Sequence, residues 1–547
     1  MLKIKKKTVS LLLAALLGTT LFSGCSSGSA DTSVSQENTA STNTAASESK
    51  YTDYSQGFPD NVTIEIPVYD RGYEGWNVTD NYYTKWIQKE FGDQYNVTVK
   101  FVAIGRTTEV QDFNQMIASH TAPNIIFHYD MPQAVVYYSS GAMQNIDYDE
   151  VAYYAPTYWS NMEETIKKYG VIDGNQAFIF AGRDPIYYNW VTLIRQDWLD
   201  QVGAQMPTNL SELDDVARKW KKAGLGTLGD SLITKSFTYE YPFIGSTTDD
   251  KDDALYLDLN IAPFTWSATE DYLKAKNSEY NEGLIDPEFY LNTEDSLTKG
   301  KFVSGKIGTY GFYISSGTDV ISSLLANDPD AKVSVLSSTA GVPEDSHAYY
   351  YAYPPYGMIM GINADATDEQ RAAVYMYLDW MSQSDNLFCL QHGVEGKTYT
   401  LDSDGIATAV AGYTGEEALS QNNNKDYWCL VQETTTYGDE AKDLASNKAL
   451  LSPPGYEDLI QQSYDYCKQV EQYGIVSTIF TKSIDSSTEY TSDLATLWQK
   501  AYVDCITCDP SELDAKYKDY CQQYLDAGYQ DILDEKQSLL DSGDYLK

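Results

Sequence analysis

From Asn61 onward, apolar and polar positions alternate along the chain. Val62, Ile64 and Ile66 share one face of an extended segment, with Thr63 and Glu65 between them, which predicts a strand. Between Asn77 and Phe91 the period lengthens. Tyr82, Trp86, Ile87 and Phe91 fall on one helical face, with Thr79 placed to cap the helix and Gly92 to end it. Val97, Val99 and Phe101 alternate as a second strand, and Val110, Phe113 and Ile117 mark a helical face within residues 108–119. Pro123 precedes a third strand, Ile125-Ile126-Phe127. This β-α-β-α-β order predicts a parallel sheet flanked by helices.

In such a sheet, ligands meet the loops beyond the C-terminal ends of the strands. The loop after the first strand holds Tyr69, Asp70, Arg71 and Trp76; the loop after the third holds His128, Tyr129 and Asp130. Arg71, Trp76, Tyr129 and Asp130 are therefore candidate ligand-binding residues, although Trp76 could equally pack beneath its own loop.

Further on, Phe178–Phe180 and Tyr187–Ile194 form extended apolar runs that lead into Arg195-Gln196-Asp197-Trp198-Leu199 and Gly203, then Met206-Pro207-Thr208. A helix follows, with Asn209 and Glu212 spaced as a capping box, Leu213, Val216 and Trp220 on one face, and Gly224 at its end. This stretch resembles a signature of extracellular solute-binding proteins of carbohydrate importers driven by ATP. Tyr280-Asn281-Glu282-Gly283-Leu284-Ile285-Asp286-Pro287 and Phe302-Val303-Ser304-Gly305-Lys306-Ile307-Gly308 resemble two further segments of that family. Gly393-Val394-Glu395-Gly396-Lys397-Thr398-Tyr399-Thr400 resembles a fourth, from its large lipoprotein branch. The four occur in the family's order, and Tyr524–Leu540 resembles its final helices.

The resemblance implies an α/β, two-lobed periplasmic-binding-protein-like fold of class II, with a multi-segment hinge and extra C-terminal helices. On this mapping the N-terminal lobe holds residues 57–180 and 312–355, and the C-terminal lobe holds 181–311 and 356–547. Crossings near Ala181–Tyr188, Tyr310–Phe312 and Tyr356–Gly361 would form the hinge, with Gly182, Gly311, Gly357 and Gly361 as its pliant points. Aromatic runs at these crossings add Tyr188, Asn189, Trp190, Tyr313 and Tyr353 to the candidate ligand contacts. Trp266 joins them, and Trp428 is a further possibility, with no motif to fix either loop. The implied role is capture of an oligosaccharide or other neutral sugar by a monomer that hands it to the permease subunits of an ABC importer, without catalysis, cofactor or metal.

Composition sharpens this picture. The 547-residue chain carries 79 acidic and 38 basic side chains, a formal charge of -41, which sets it against nucleic acid and other polyanions. Local Arg71, Arg183 or lysines could override that average. Its 47 Tyr and 10 Trp offer faces that stack on sugar rings and polar tips that bond to sugar hydroxyls. Most of them must still be core.

The start of the chain reads as an address. Lys3, Lys5, Lys6 and Lys7 precede the mostly apolar Val9–Phe22, and Ser23-Gly24-Cys25 resembles a lipobox. Residues 1–24 are thus expected to be a signal peptide and Cys25 an acylated N-terminus on the outer face of the cell membrane. Residues 25–56, rich in Ser and Thr, read as a disordered tether. Beyond the leader, no run approaches the roughly 18 apolar residues of a membrane span.

Enzymatic signals are thin. The four His make no H-E-x-x-H, and Gln391 stands where a P-loop ending in Gly396-Lys397-Thr398 would need its first Gly. Asp402-Ser403-Asp404-Gly405 resembles part of a calcium loop, but Thr400 and Ala411 fill its first and twelfth ligand positions. Six cysteines in the last third (Cys389, Cys429, Cys467, Cys505, Cys508 and Cys521) are read as buried thiols or one or two structural bridges. A carboxylate pair among Asp70, Glu74, Asp130 and Asp184 could still serve a secreted glycoside hydrolase. A glycan- or peptide-binding sensor lipoprotein is the other alternative.

Overall fold

The computed structural model describes residues 50–183, 190–230, 254–257, 261–293, 295–313, 317–344, 350–352, 354–410, 412–451, 455–471, 474–476 and 478–546. Cys25, Tyr188, Asn189 and Tyr353 lie outside them, as do the expected leader and most of the expected tether. In chain order the elements that position the site are β1 (Val62–Asp70), α1 (Tyr82–Ile87), β2 (Val97–Gly105), α2 (Glu109–Ala118), β3 (Ile125–His128), α3 (Met131–Ser139) and β4 (Ile179–Gly182). There follow β5 (Trp190–Arg195), α4 (Leu210–Ala223), α5 (Ser267–Glu282), β6 (Thr309–Tyr313), β7 (Val333–Val335), β8 (Tyr356–Asn363) and α6 (Asp368–Ser382). The chain ends on α7 (Asp485–Thr507), α8 (Leu513–Tyr524) and α9 (Gln530–Ser542), with a two-residue strand after them.

The predicted β-α-β-α-β start is present. β1 and β2 pair in parallel from Val62↔Val97 to Asp70↔Gly105, so β2 runs four residues past Phe101. Asn124 ties β1 to β3, its amide donating to Glu65 O at 2.9 Å and its side-chain oxygen accepting from Glu65 N at 2.7 Å. The cap of α1 is Asn81 rather than Thr79. Asn81 Oδ1 accepts from the amides of Tyr83 and Thr84, while Thr84 Oγ1 accepts from Asn81 N. Thr79 instead bonds to Asn77 one turn earlier. At α4 the expected cap holds in part. Asn209 Oδ1 accepts from Glu212 N, but the Glu212 carboxylate turns to Thr208, and Gly224 ends the helix at φ +74°.

β8 has all eight residues buried and is bonded on one side to β3 and on the other to β4 and Met143–Gln144, every pairing antiparallel. A continuous apolar run such as Tyr356-Gly357-Met358-Ile359-Met360-Gly361-Ile362 fits a strand covered on both faces. It packs with α6 into a first apolar core drawn from residues 58–181 and 356–431. A second sheet orders β7-β5-β6, all antiparallel. Its two faces carry cores drawn from residues 191–335 and the C-terminal helices, with Trp220, Phe264, Trp498, Tyr517 and Tyr524 among their members.

These pairings reverse part of the expected lobe allocation. Phe312–Tyr313 and Val333–Val335 belong to the second sheet, and described residues from 356 to 431 to the first core, the opposite of the mapping from sequence. Tyr310–Phe312 is consequently an edge strand, and Tyr356–Gly361 the middle of a sheet, rather than hinge. The described crossings fall after Gly182, between Val335 and Tyr356, where Tyr350–Ala352 pairs in parallel with Gly474–Val476, and again after Val431. The result is a two-lobed α/β fold.

The C-terminal helices close the second lobe. Asn277 on α5 donates through Nδ2 to the carbonyls of Cys505, Ile506 and Cys508 at 2.9, 3.1 and 2.9 Å, satisfying groups that the end of α7 leaves open. All six described cysteines are free thiols, so no structural bridge forms among them. Burial pushes Cys389 up to about 11 and Cys505 up to about 12, which keeps both protonated and unreactive.

Candidate functional site

β1 and β2 form a parallel pair of their own, tied to β3 through Asn124, while β3 and β4 end on either side of β8 in a separate sheet, from which the chain leaves after β4 for the β7-β5-β6 sheet. Four of the candidate residues follow those strand ends: Arg71 and Trp76 after β1, Tyr129 and Asp130 after β3. The structure brings Arg71 and Tyr129 together around Tyr69 and adds Arg106, which follows β2; Trp76 packs against the first core and Asp130 sits at the start of α3.

Tyr69, wholly buried, lies against Tyr129 with rings parallel at 6.4 Å. Arg106 sits over both, its guanidinium carbon 4.9 Å from the Tyr69 ring and 5.5 Å from that of Tyr129, while Arg71 approaches Tyr69 at 5.6 Å. The position of Arg106 is fixed by the strand ends, because its amide donates to Asp70 O at 3.1 Å. Two cations share one phenol platform.

The two arginines differ in their partners. Arg71 grips Asp426 as a fork, Nε and Nη2 donating at 2.9–3.0 Å. Arg106 donates from Nη1 to Glu109 Oε2 at 3.3 Å. Burial raises the Glu109 carboxyl to about 7, although Arg106 and the Tyr69 phenol draw it back down. Burial also pushes the Tyr69 and Tyr129 phenols up, so both stay neutral hydrogen-bonding groups.

His128 is no acid or base here. Burial lowers it to about 4, and its Nδ1 accepts from Asp130 N at 2.9 Å, which fixes the neutral ring. That bond also sets the turn from β3 into α3, with Asp130 at the N-cap position. Asp70 Oδ1 accepts from Gly72 N and so shapes the loop after β1. Trp76 is half-buried against the first core, above a loop anchored by Tyr427, whose hydroxyl donates to Val78 O and accepts from Asn81 Nδ2.

Residues 425–433 run behind this edge. Gly182 and residues 431–433 exchange backbone bonds at 2.8–2.9 Å, and Lys425 Nζ pairs with the buried Glu433 at 2.8 Å. Gly357 lies so close to Glu433 that a Cβ would stand 1.9 Å from its Cγ. Only glycine admits that approach, so Gly357 serves packing behind the edge.

Across the crossing, Trp190 and Tyr313 are register partners at one end of the β5–β6 pair. Two positions on, the partners Thr192 and Gly311 line a small open pocket. Its wall includes Asp230, Lys276, Asp295, Ser337 and Ser338, with Tyr310 donating to both Asp295 oxygens at 2.8 and 2.9 Å. Such a wall offers hydroxyl and carboxylate partners for a polyhydroxy ligand.

Trp266 and Trp428 belong elsewhere. Trp266 is 3% exposed and lies flat on Tyr256 in the second core at 5.7 Å. Trp428 is 3% exposed in the first, its indole N–H donating to Asn423 O. Both are structural aromatics. Sequence reasoning missed Arg106, Asp426 and Glu433. Only Arg106 had a local signal, since it directly follows a strand that alternation had traced as far as Phe101.

Among the described residues, no group of three or more His, Cys, Asp or Glu side chains is arranged to hold a metal ion, and no helix is long and apolar enough to cross a membrane. Residues 86–387 match the family described as bacterial extracellular solute-binding protein. Lipoprotein LipO of Bacillus subtilis (strain 168) is 23% identical over 320 residues, 54% of this chain and 60% of LipO. The polygalacturonan/rhamnogalacturonan-binding protein YtcQ of the same organism is 21% identical over 410 residues, 71% of this chain and 75% of YtcQ. The crystal structure of the alginate-binding protein AlgQ2 without calcium ion superposes with a TM-score of 0.62 at 17% identity, covering 90% of this chain and all of that one.

Proposed function

Because the chain belongs to the bacterial extracellular solute-binding proteins, we propose that it captures an oligosaccharide between its two lobes for delivery to the permease of an ABC importer. The observation that carries this reading is the strand edge of the first lobe. Around Tyr69 it carries Tyr129, Arg71 and Arg106, and in this reading Trp76, on the loop after β1, joins them at the ligand. Half-buried aromatic faces stack on the C–H faces of sugar rings, and guanidinium and phenol groups bond to the oxygens around them. The polar pocket beside Trp190 and Tyr313 supplies the opposing wall. Carbohydrate ligands stand in the names of YtcQ and AlgQ2, which supports the same class.

In this reading Cys25 is the acylated anchor, residues 25–56 the tether, and the outer face of the cell membrane the site of action. A tether of about 30 residues has a reach of roughly 30 Å, enough to hold the lobes clear of lipid. Ligand shifts the molecule toward a closed form by binding both lobes at once, and the closed monomer is what the permease meets. The sugar leaves unaltered.

Calorimetry against a panel of oligosaccharides is the direct test. A cognate member should bind, change the tryptophan fluorescence and be recovered intact; shorter products appearing over hours would establish a hydrolase instead. Trp190→Ala should weaken binding by about 1–3 kcal/mol, the worth of one buried aromatic contact. Unchanged affinity would remove Trp190 from the ligand surface, and a panel without any binder would remove carbohydrate as the ligand class.

A further inference from the structure

Resting on the carbohydrate reading, we infer that Arg106 is a carboxylate-recognition residue, and that the sugar this protein takes carries acidic units such as uronates.

The case begins with how this chain neutralises its arginines. In a sequence with 79 acidic and 38 basic side chains, carboxylate partners are abundant. Arg195 pairs with Asp197 and Asp328, Arg218 with Asp215 and Glu282, and Arg371 with Glu150 and Asp368. Arg71 has the full fork to Asp426. Of these five, Arg106 has the sparest pairing. Its side chain is 40% exposed, and its ion pair among the described residues is a single 3.3 Å bond to Glu109. One of five guanidinium N–H donors is spent there, and the partner is a carboxyl that burial holds about half protonated near neutrality.

The remaining donors are held in place rather than left to wander. The Tyr69 and Tyr129 rings lie under the guanidinium, and the backbone of Arg106 is bonded to the end of β1. The nearby Asp112 does not compete, because its Oδ2 accepts from Gly105 N and Thr108 Oγ1. A planar fork, oriented by aromatic rings and short of a full counter-ion, matches a sugar carboxylate in geometry and charge. Tyr129, mostly buried beside it, offers the part of its ring that reaches solvent as a stacking face for that same sugar. The chain's overall negative charge acts over longer range and is screened beyond about 8–10 Å, so contact chemistry decides the preference.

Trigalacturonate and the neutral trisaccharide made from it by carboxyl reduction are the paired probes, titrated into the full-length protein by calorimetry. The wild-type protein should prefer the acidic trimer by about tenfold or more, the worth of one charge-assisted fork. Arg106→Gln should bring that ratio to within about threefold, and Arg106→Lys should leave it between the two, since lysine keeps the charge and loses the fork. The ratio between ligands, measured on the same variant, is insensitive to a partial loss of folded protein. A wild-type ratio near one, or a ratio that survives Arg106→Gln, would overturn the inference. Tight binding of the neutral trimer alone would overturn it too while leaving oligosaccharide capture standing. Silence from both probes and from the wider panel would end both readings.

Discussion

Lys276→Met should lower the stability of the second lobe by about 3–5 kcal/mol, the usual cost of breaking a buried ion pair from one side. Lys276 and Glu279 lie three residues apart on the inward face of α5, 2.7 Å from each other, with side chains 6% and 2% exposed. Asp214 on α4 faces the same space. Burial and the charge of Glu279 raise its carboxyl to about 7, while Arg218 and Lys276 act to lower it. Removing the ammonium leaves the buried Glu279 carboxyl without its partner and the nearby Asp214 with one fewer cation. The deficit should therefore shrink at pH 5, where Asp214 takes up a proton more readily, and Lys276→Met/Glu279→Gln should recover more than half of it. Urea unfolding at pH 5 and pH 8 reads both effects. A loss below about 1 kcal/mol at pH 8 would mean that the pair is hydrated and ordinary. The stake is functional as well, because Lys276 also lines the polar pocket, so its anchoring helps to set the shape of that wall.

How much of this was legible beforehand follows from the range of each interaction. The opening β-α-β-α-β run was readable because period-two and helical faces alternate cleanly from Val62 to Phe127. The rule that ligands gather at strand C-termini then located Arg71 and Tyr129. Arg106 slipped away because Phe101-Val102-Ala103-Ile104 is continuously apolar, which hides where β2 ends. Asp426 was out of reach for a different reason. It meets Arg71 from 355 residues away, and no local pattern encodes that meeting. The exchange of Phe312–Tyr313 and Val333–Val335 with residues from 356 to 431 has the same origin, since alternation announces a strand without naming its sheet. Glycines in Tyr310-Gly311-Phe312-Tyr313 and Tyr356-Gly357 suggested pliant crossings. Gly357 instead answers a close approach by Glu433, which only three-dimensional packing reveals. Trp266 and Trp428 show the limit of composition, because the same ring suits a core and a sugar.

The arginine that sequence missed stands over the group with the clearest pH signature. Glu109 in the fold has its proton affinity raised by burial to about 7, against 4.5 for the free side chain. A carboxyl raised on folding favours the native state at low pH and withdraws that support as pH climbs from about 4.5 to 7. The withdrawal amounts to about 3 kcal/mol, by the equivalence of a pKa unit to about 1.4 kcal/mol. Asp214 slopes the same way, whereas His128 and His392, both lowered by burial to about 4, oppose it between about pH 4 and 6.5. The raw stability profile therefore mixes signs, and the difference between wild type and Glu109→Gln isolates one group. Glutamine keeps the shape and stays neutral, so the variant should gain on the wild type by about 3 kcal/mol between pH 5 and pH 8, then hold that lead. Denaturant titrations at half-unit intervals would trace this curve. A flat difference would show that Arg106 already holds Glu109 ionised in the fold, and the arginine would then be no more available to a ligand than Arg71 is to anything but Asp426.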